Sequence, residues 1–478
     1  MVGGTIARAA LIAVQAVAAG LVARWRATDT SARHGRPGTP MGRSFPTARK
    51  RTQTGARPRP TPAGWQRLDS AAMRILVVGA GGVGSAFAPI AARRDFFEHI
   101  VFADIDEAKA RSVVDRYDPG GTYSAAKIDA TDAAQVTDCA RANKCDAILN
   151  AADPRFVLPI FAGALAAGVT YLDMAMSLSE PHPDAPHEQT GKKLGDDQFA
   201  TAGVWEERGQ LALVGIGIEP GAADVFARYA QDRLFTQIDE VGIRDGSNIQ
   251  IEGYAFAPTF SIWTTIEECL NPPVIWEQER GWFTTAPFSE PEVFDFPEGI
   301  GPVECVNVEH EEVVLVPRWI DCRRVTFKYG LGDEVIDVLR TIHKLGLDNT
   351  APVRVRGGDV SPRDVVAACL PDPAQLGDRM KGQTCAGAWI TGTGTDGERR
   401  EVYLYHVVDT EETWARDGAQ GVVWQTAINP VIALELIATG LWSGAGVLGP
   451  EAFEPQPFLD LLNDFGSPWG MQERIPQA

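Results

Sequence analysis

The chain has 478 residues, 45% of them hydrophobic, enough for more than one core. Acidic side chains outnumber basic ones, 63 to 44, and residues 1 to 72 hold 12 Arg and Lys against two Asp, so the −19 of the whole chain becomes −29 for the rest. That acidity argues against nucleic acid or an anionic membrane as a partner of the folded part. The scattered cysteines (139, 145, 269, 305, 322, 369, 385), with no CxxC pair and no zinc-finger histidine, argue against a disulfide framework or a metal site and fit a reducing cytoplasm.

The apolar stretch "AALIAVQAVAAGLVA" (9 to 23) is short for a membrane span, and only Arg8 precedes it. An Arg, Pro, Gly and Thr-rich tract follows. Because Met73 stands directly before the first regular element, residues 1 to 72 read as a leader that is disordered or not part of the natural product.

Order begins with "MRILVVGAGGVG" (73 to 84). "RILVV" is a branched apolar run suited to a central strand, and "SAFAPIAARR" has helical spacing, with Pro89 expected to bend the helix. Between them Gly79 makes a tight turn, Gly81 leaves room for a pyrophosphate, and Gly84 lets the helix approach the strand; Gly82 and Val83 complete the turn. Asp104 closes the next strand, "HIVFADID", 20 residues after Gly84. An acid there accepts hydrogen bonds from the adenosine ribose and repels a 2′-phosphate, which favours NAD over NADP.

Further strands follow in "YSAAKIDA", "DAILNAA", "VTYLDMA" and "LALVGIG", alternating with helices, so residues 73 to 220 are expected to form a Rossmann-type doubly wound parallel sheet. Its strand ends carry Asp129, within reach of an adenine amine, Asn150 and Ala151, near the nicotinamide half, and Asp173. The polar loop of residues 176 to 195 holds His182 and His187, read as solvated. From 221 to 425 an α+β substrate and oligomerisation domain with a mixed or antiparallel sheet is expected, with strands in "DEVGIRDGSNI", "EVVLVP" and "RRVTFKYGLG" and helices near 262 to 270 and 333 to 345. Residues 426 to 478 read as a helical segment packing back on the first domain. The absence of GxSxG, HExxH and a Walker lysine argues against an esterase, a metalloprotease or a kinase.

"VVGAGGVGSAF", "IVFADID", "NAADP", "YLDMA", "VEHEEVVLVPR", "VTFKYGLG" and above all "GIGIEPGAADVFA" resemble the saccharopine dehydrogenase family, in its glutamate-forming branch, over about residues 73 to 465. The resemblance implies a cytoplasmic homodimer and a reaction at a secondary amine, in which hydride leaves a carbon bonded to nitrogen and the imine hydrolyses. For saccharopine the products are 2-aminoadipate 6-semialdehyde and glutamate. Lysine 6-dehydrogenase and carboxynorspermidine synthase are related alternatives, and a non-catalytic NAD-binding protein is the competing class.

Three carboxylates on saccharopine would need cations, for which Arg244, Arg318, Arg324 and Lys328 are candidates. Amino groups would instead need carboxylates, which Glu219, Asp224, Glu267 and Glu311 could supply. For the general base the candidates are Asp173, Lys328, His310 and His406, with Asp173 favoured because it ends a strand. His343 reads as part of a helix surface.

Overall fold

The computed structural model describes residues 72–474, so the leader expected over residues 1 to 72 falls outside them but for its last residue. The body comprises the described residues up to 350 and from 362 onward. Residues 351–361 belong to a separate unit, in which Val353–Val355 pairs with Gly358–Val360 as a hairpin.

The branched run after Met73 forms strand β1 (Met73–Val78), whose Ile75, Leu76, Val77 and Val78 are all buried. A strand apolar on both faces must sit inside a covered sheet. It lies between β2 (Phe97–Asp104) and β4 (Ala147–Asn150), with β3 (Tyr123–Lys127) outside β2 and β5 (Thr170–Asp173) and β6 (Leu211–Leu213) outside β4. All pairs are parallel. Strand order reverses between β1 and β4, and at such a point the crevice opens beyond the carboxyl ends of the strands.

The end of the chain is not purely helical. Gly446–Leu448 adds a seventh parallel strand beside β6, and Trp469–Arg474 joins the second sheet. Three residues of strand carry no readable period, which is why the pattern conceals it. The helix Gly421–Ala438 packs on the helix Gly82–Ala91, with Val423 beside Gly82. Among the described residues it is the one helix long and apolar enough to cross a bilayer, and it is buried in the body. Pro89 lies in the last turn of Gly82–Ala91, where a missing N–H disturbs only the end of the ladder.

The second sheet is mixed and built on β7 (Phe235–Ser247). On one side β7 pairs in parallel with Cys322–Gly330, with Arg244 opposite Lys328 and Asp245 opposite Tyr329. On the other it pairs antiparallel with Gln383–Gly394, which continues to Arg399–Asp409. The valine-rich "EVVLVP" is not the expected strand. It lies in the helix Glu312–Trp319, with Glu312 through Val316 all buried. β-branched residues suit any fully buried face, so burial on every side removed the signal that separates strand from helix.

In the glycine turn, a side chain at Gly84 would place its Cβ 2.0 Å from the Gly79 carbonyl oxygen, whereas one at Gly81 would meet nothing within 4 Å. The G84A variant should therefore lose folding stability, by about 2 kcal/mol or more for a backbone clash, while G81A should keep its melting temperature and weaken dinucleotide binding. Thermal unfolding and cofactor fluorescence titration of the two variants separate these outcomes; equal melting temperatures would refute the packing role of Gly84.

Candidate active site

A cleft of about 520 Å³ opens at the carboxyl ends of β1 and β4. Gly82, Val83, Asn150 and Ala151 line one side, and Glu219, Asp245, Glu268, His310, Glu311 and Tyr329 line the other.

The first side fits a dinucleotide. Gly79 has φ +105°, and a Cβ there would lie 2.5 Å from the Ala151 carbonyl oxygen, so the two strand ends close on each other through a position only glycine fills. No side chain caps the N-terminus of Gly82–Ala91, and the space in front of Gly81 is open. Backbone N–H groups there suit a pyrophosphate. Asp104 accepts from Ala80 N at 3.0 Å and from Asp106 N at 2.9 Å, which fixes its carboxylate beside the turn. Asn150 accepts from Ala152 N (3.0 Å) and donates to the Tyr171 hydroxyl (3.1 Å), so it shapes the cleft wall. Asp129 serves its own turn, accepting from the Thr131 side chain (2.7 Å) and backbone (2.9 Å), and both bonds hold its pKa below the usual range.

On the second side the expected cations are elsewhere. Successive strand residues point to opposite faces. Asp245 and Tyr329 face the cleft, while Arg244 and Lys328 meet at Glu292, at 2.5 and 2.8 Å. Arg324 pairs with Glu277 (2.6 Å) and Glu290 (2.9 Å). Arg318 is on a helix rather than at a strand end, donates to the Val314 carbonyl (3.0 Å) and lies over the Phe199 ring. Among the described residues, no arginine or lysine lines the cleft.

Among the described residues, three of the cleft carboxylates form no ion pair with an arginine or lysine. Glu219 and Asp245 lie within hydrogen-bond reach of each other, and one Glu219 oxygen, Oε2, is buried and unpartnered. Burial, then the neighbouring Asp245, pushes Glu219 well up; burial raises Asp245 to about 6 and Glu268 to about 8. Other acids in the lining have local work: Asp153 pairs with Arg155 (2.8 Å), Asp372 accepts from Ala374 N (3.0 Å), and Glu311 accepts from Met176 N (3.0 Å).

His310 stacks on Phe327 with ring centroids 3.8 Å apart. Its Nδ1 is 2.6 Å from Glu312 Oε2 and its Nε2 is 3.4 Å from the Tyr329 hydroxyl. Burial alone would lower the imidazolium, but Glu312, Glu311 and Glu268 outweigh it and raise it to about 10. Tyr329, His310 and Glu312 thus form a path by which a proton can be held at the cleft wall. His310, Glu311 and Glu312 group within 4.8 Å, a spacing open to a metal ion, but the direct bond between His310 and Glu312 already uses their ligand atoms.

The other candidates lie outside the cleft lining. Asp173 is fully buried beneath it, accepting from Gln198 Nε2 (2.8 Å) and Gly215 N (2.7 Å), and burial pushes it up to about 7. It ties β5 to the segment after β6, so a strand end alone did not place it at the opening. His406 is fully buried against Ser467 Oγ (2.6 Å), and burial lowers it to about 4. Asp224 accepts from Gly221 N (2.6 Å) at the start of its helix. Glu267 pairs with Arg363, one residue before the Glu268 that reaches the cleft. Sequence reasoning missed Asp245, Glu268, Glu312 and Tyr329. The signal for Asp245 and Tyr329 was strand parity, since each adjoins a residue that was chosen.

R244A should leave the substrate KM within about twofold and lower stability by about 2 kcal/mol, a buried-pair cost reduced because Glu292 is 34% exposed. Steady-state kinetics beside thermal unfolding decides it; a tenfold rise in KM with unchanged melting would return Arg244 to the cleft.

The family profile described as "Saccharopine dehydrogenase NADP binding domain" matches residues 75–213, and "Saccharopine dehydrogenase C-terminal domain" matches residues 217–467. A carboxynorspermidine synthase of Vibrio cholerae is 28% identical over 415 residues, covering 84% of this chain and 98% of that protein. A carboxyaminopropylagmatine dehydrogenase of Synechocystis is 30% identical over 400 residues, covering 83% and 96%. A saccharopine dehydrogenase (L-Glu forming) from Saccharomyces cerevisiae shares the fold, with a TM-score of 0.59 at 13% identity over 84% of this chain and 100% of that one. With both domains of the family in place around a dinucleotide cleft, the chain belongs to the saccharopine dehydrogenase family, as an NAD(P)-dependent oxidoreductase acting on a C–N bond of an amino-acid-derived amine.

Proposed function

We propose that this enzyme interconverts a carboxylated polyamine and the imine from which it forms. The observation that carries this reading is the lining of the cleft: among the described residues it holds Glu219, Asp245 and Glu268, which form no ion pair with an arginine or lysine, and no arginine or lysine of its own. Saccharopine would bring three carboxylates into that field unmatched, whereas a polyamine brings ammonium or guanidinium groups that the acids can hold. The carboxynorspermidine and carboxyaminopropylagmatine relatives support the same class. The unpaired state of all seven cysteines supports a reducing compartment.

When bound, the dinucleotide would supply hydride to the imine carbon, or accept it in reverse. The chain's own residues deal with the proton. In the reductive direction the Tyr329 hydroxyl gives its proton to the substrate nitrogen, and His310 Nε2 restores it across the 3.4 Å contact. Glu312, on Nδ1, keeps the ring charged and oriented. The C=N bond, one hydride and one proton give CH–NH, with the oxidised cofactor as the other product.

Following NADH and NADPH turnover with carboxynorspermidine, carboxyaminopropylagmatine, saccharopine and lysine side by side tests the reading. The expected outcome is a kcat/KM for a carboxylated polyamine about a hundredfold or more above that for saccharopine, since two unmatched carboxylates at about 1.4 kcal/mol each give that ratio. Turnover of saccharopine or lysine alone would sink it.

Asp104 further supports NAD as the preferred cofactor. D104A should raise the KM for NAD about tenfold, through loss of a charge-assisted ribose contact worth about 1.5 kcal/mol, and narrow the gap to NADP. Unchanged constants for both cofactors would mean that Asp104 only braces the glycine turn.

A further inference from the structure

We infer that Glu219 and Asp245, with Glu268 behind them, seat the cationic end of the amine, and that the proton the pair shares in the empty cleft leaves as the amine binds. The inference rests on the polyamine reading and adds to it the residues that hold the charge and a proton stoichiometry.

Glu219 and Asp245 are neighbours in the cleft wall, and burial together with the repulsion of two adjacent carboxylate ions favours one proton shared between them. Both line the cleft. Asp245 projects from β7 and Glu219 from the segment before the helix Ala222–Arg233, so two rigid elements fix the pair. The unpartnered Oε2 of Glu219 is a buried acceptor awaiting a donor. Among the described residues no arginine or lysine serves: Arg244 and Lys328, the nearest along these strands, are both committed to Glu292 on the opposite face.

The groups facing the pair are known from each packed element. Glu268 comes from the helix Ile262–Leu270, His310 and Glu311 from the segment leading into Glu312–Trp319, Glu312 from that helix, and Tyr329 from the strand Cys322–Gly330. His310 is the one cation among them, and Glu312 holds it at 2.6 Å. The charge of Glu312 raises both acids and favours retention of the shared proton until an external cation arrives. An incoming ammonium or guanidinium donates to the carboxylate oxygens, favours both ionised forms and displaces the proton to solvent. The exchange balances: one positive charge enters and one proton leaves. Because a polyamine is already protonated near neutral pH, no proton uptake by the ligand cancels the release. Affinity should therefore rise with pH, about tenfold per unit where the pair holds its proton and levelling once that proton is gone.

The test is isothermal titration of the NAD(P)+-loaded enzyme with agmatine and with norspermidine at pH 7, in two buffers of different ionisation enthalpy. Wild type should release about one proton per amine bound. E219Q should lower that number by about one and raise Kd by about tenfold or more, and D245N should raise Kd likewise. An amide beside a carboxyl keeps a hydrogen bond, and a melting curve of each variant confirms that it folds. Amine binding without proton release, or equal release by wild type and E219Q, overturns the seat even where carboxylated polyamines are turned over. Turnover of saccharopine alone instead removes the reading on which it rests.

Discussion

The parallel pairing of β7 with Cys322–Gly330 governs the chemistry of the cleft. Its register puts Arg244 beside Lys328 and Asp245 beside Tyr329, and the pleat sends the two pairs to opposite faces. The cations meet Glu292 there, and the cleft receives an acid and a hydroxyl. A slip of one residue would reverse the sign of the field at the substrate. Arg244 and Lys328 share one carboxylate on the far face, so the same register that forms this ion pair also decides what faces the site.

Burial of so many acids is costly, and the structure limits the cost by leaving some of them protonated. Asp173 is raised to about 7 and Glu268 to about 8, both by burial, and burial raises Glu219 and Asp245 as well. His310 is the counterweight. Burial disfavours its charge, but three carboxylates restore it, and stacking on Phe327 fixes the ring plane. The result is a cleft wall that carries both a proton donor and an attraction for cations.

The opposite wall depends on glycine. Gly79 and Gly84 allow backbone approaches that no side chain would permit, and Gly81 leaves the front of the helix open. The late helix Gly421–Ala438 covers this region, with Val422, Val423 and Thr426 lining the cleft beside Gly82. Residues far apart in the chain thereby enclose one site, which is why the two family domains form one enzyme.

The sequence by itself determined the parallel sheet, its glycine turn and the positions of Asn150 and Ala151, because each depends on local rules: branched runs make buried strands, and tight turns need glycine. Glu219 was legible as one of four candidate acids, with nothing local to single it out from Asp224 and Glu267. The face presented by Arg244, Lys328 and their neighbours was not, since parity is set by pairing with a strand about 80 residues away. Nor was the helical state of "EVVLVP", the strand Gly446–Leu448, or the burial of Asp173 and His406. Those depend on which surfaces meet, and only the tertiary structure brings such surfaces together.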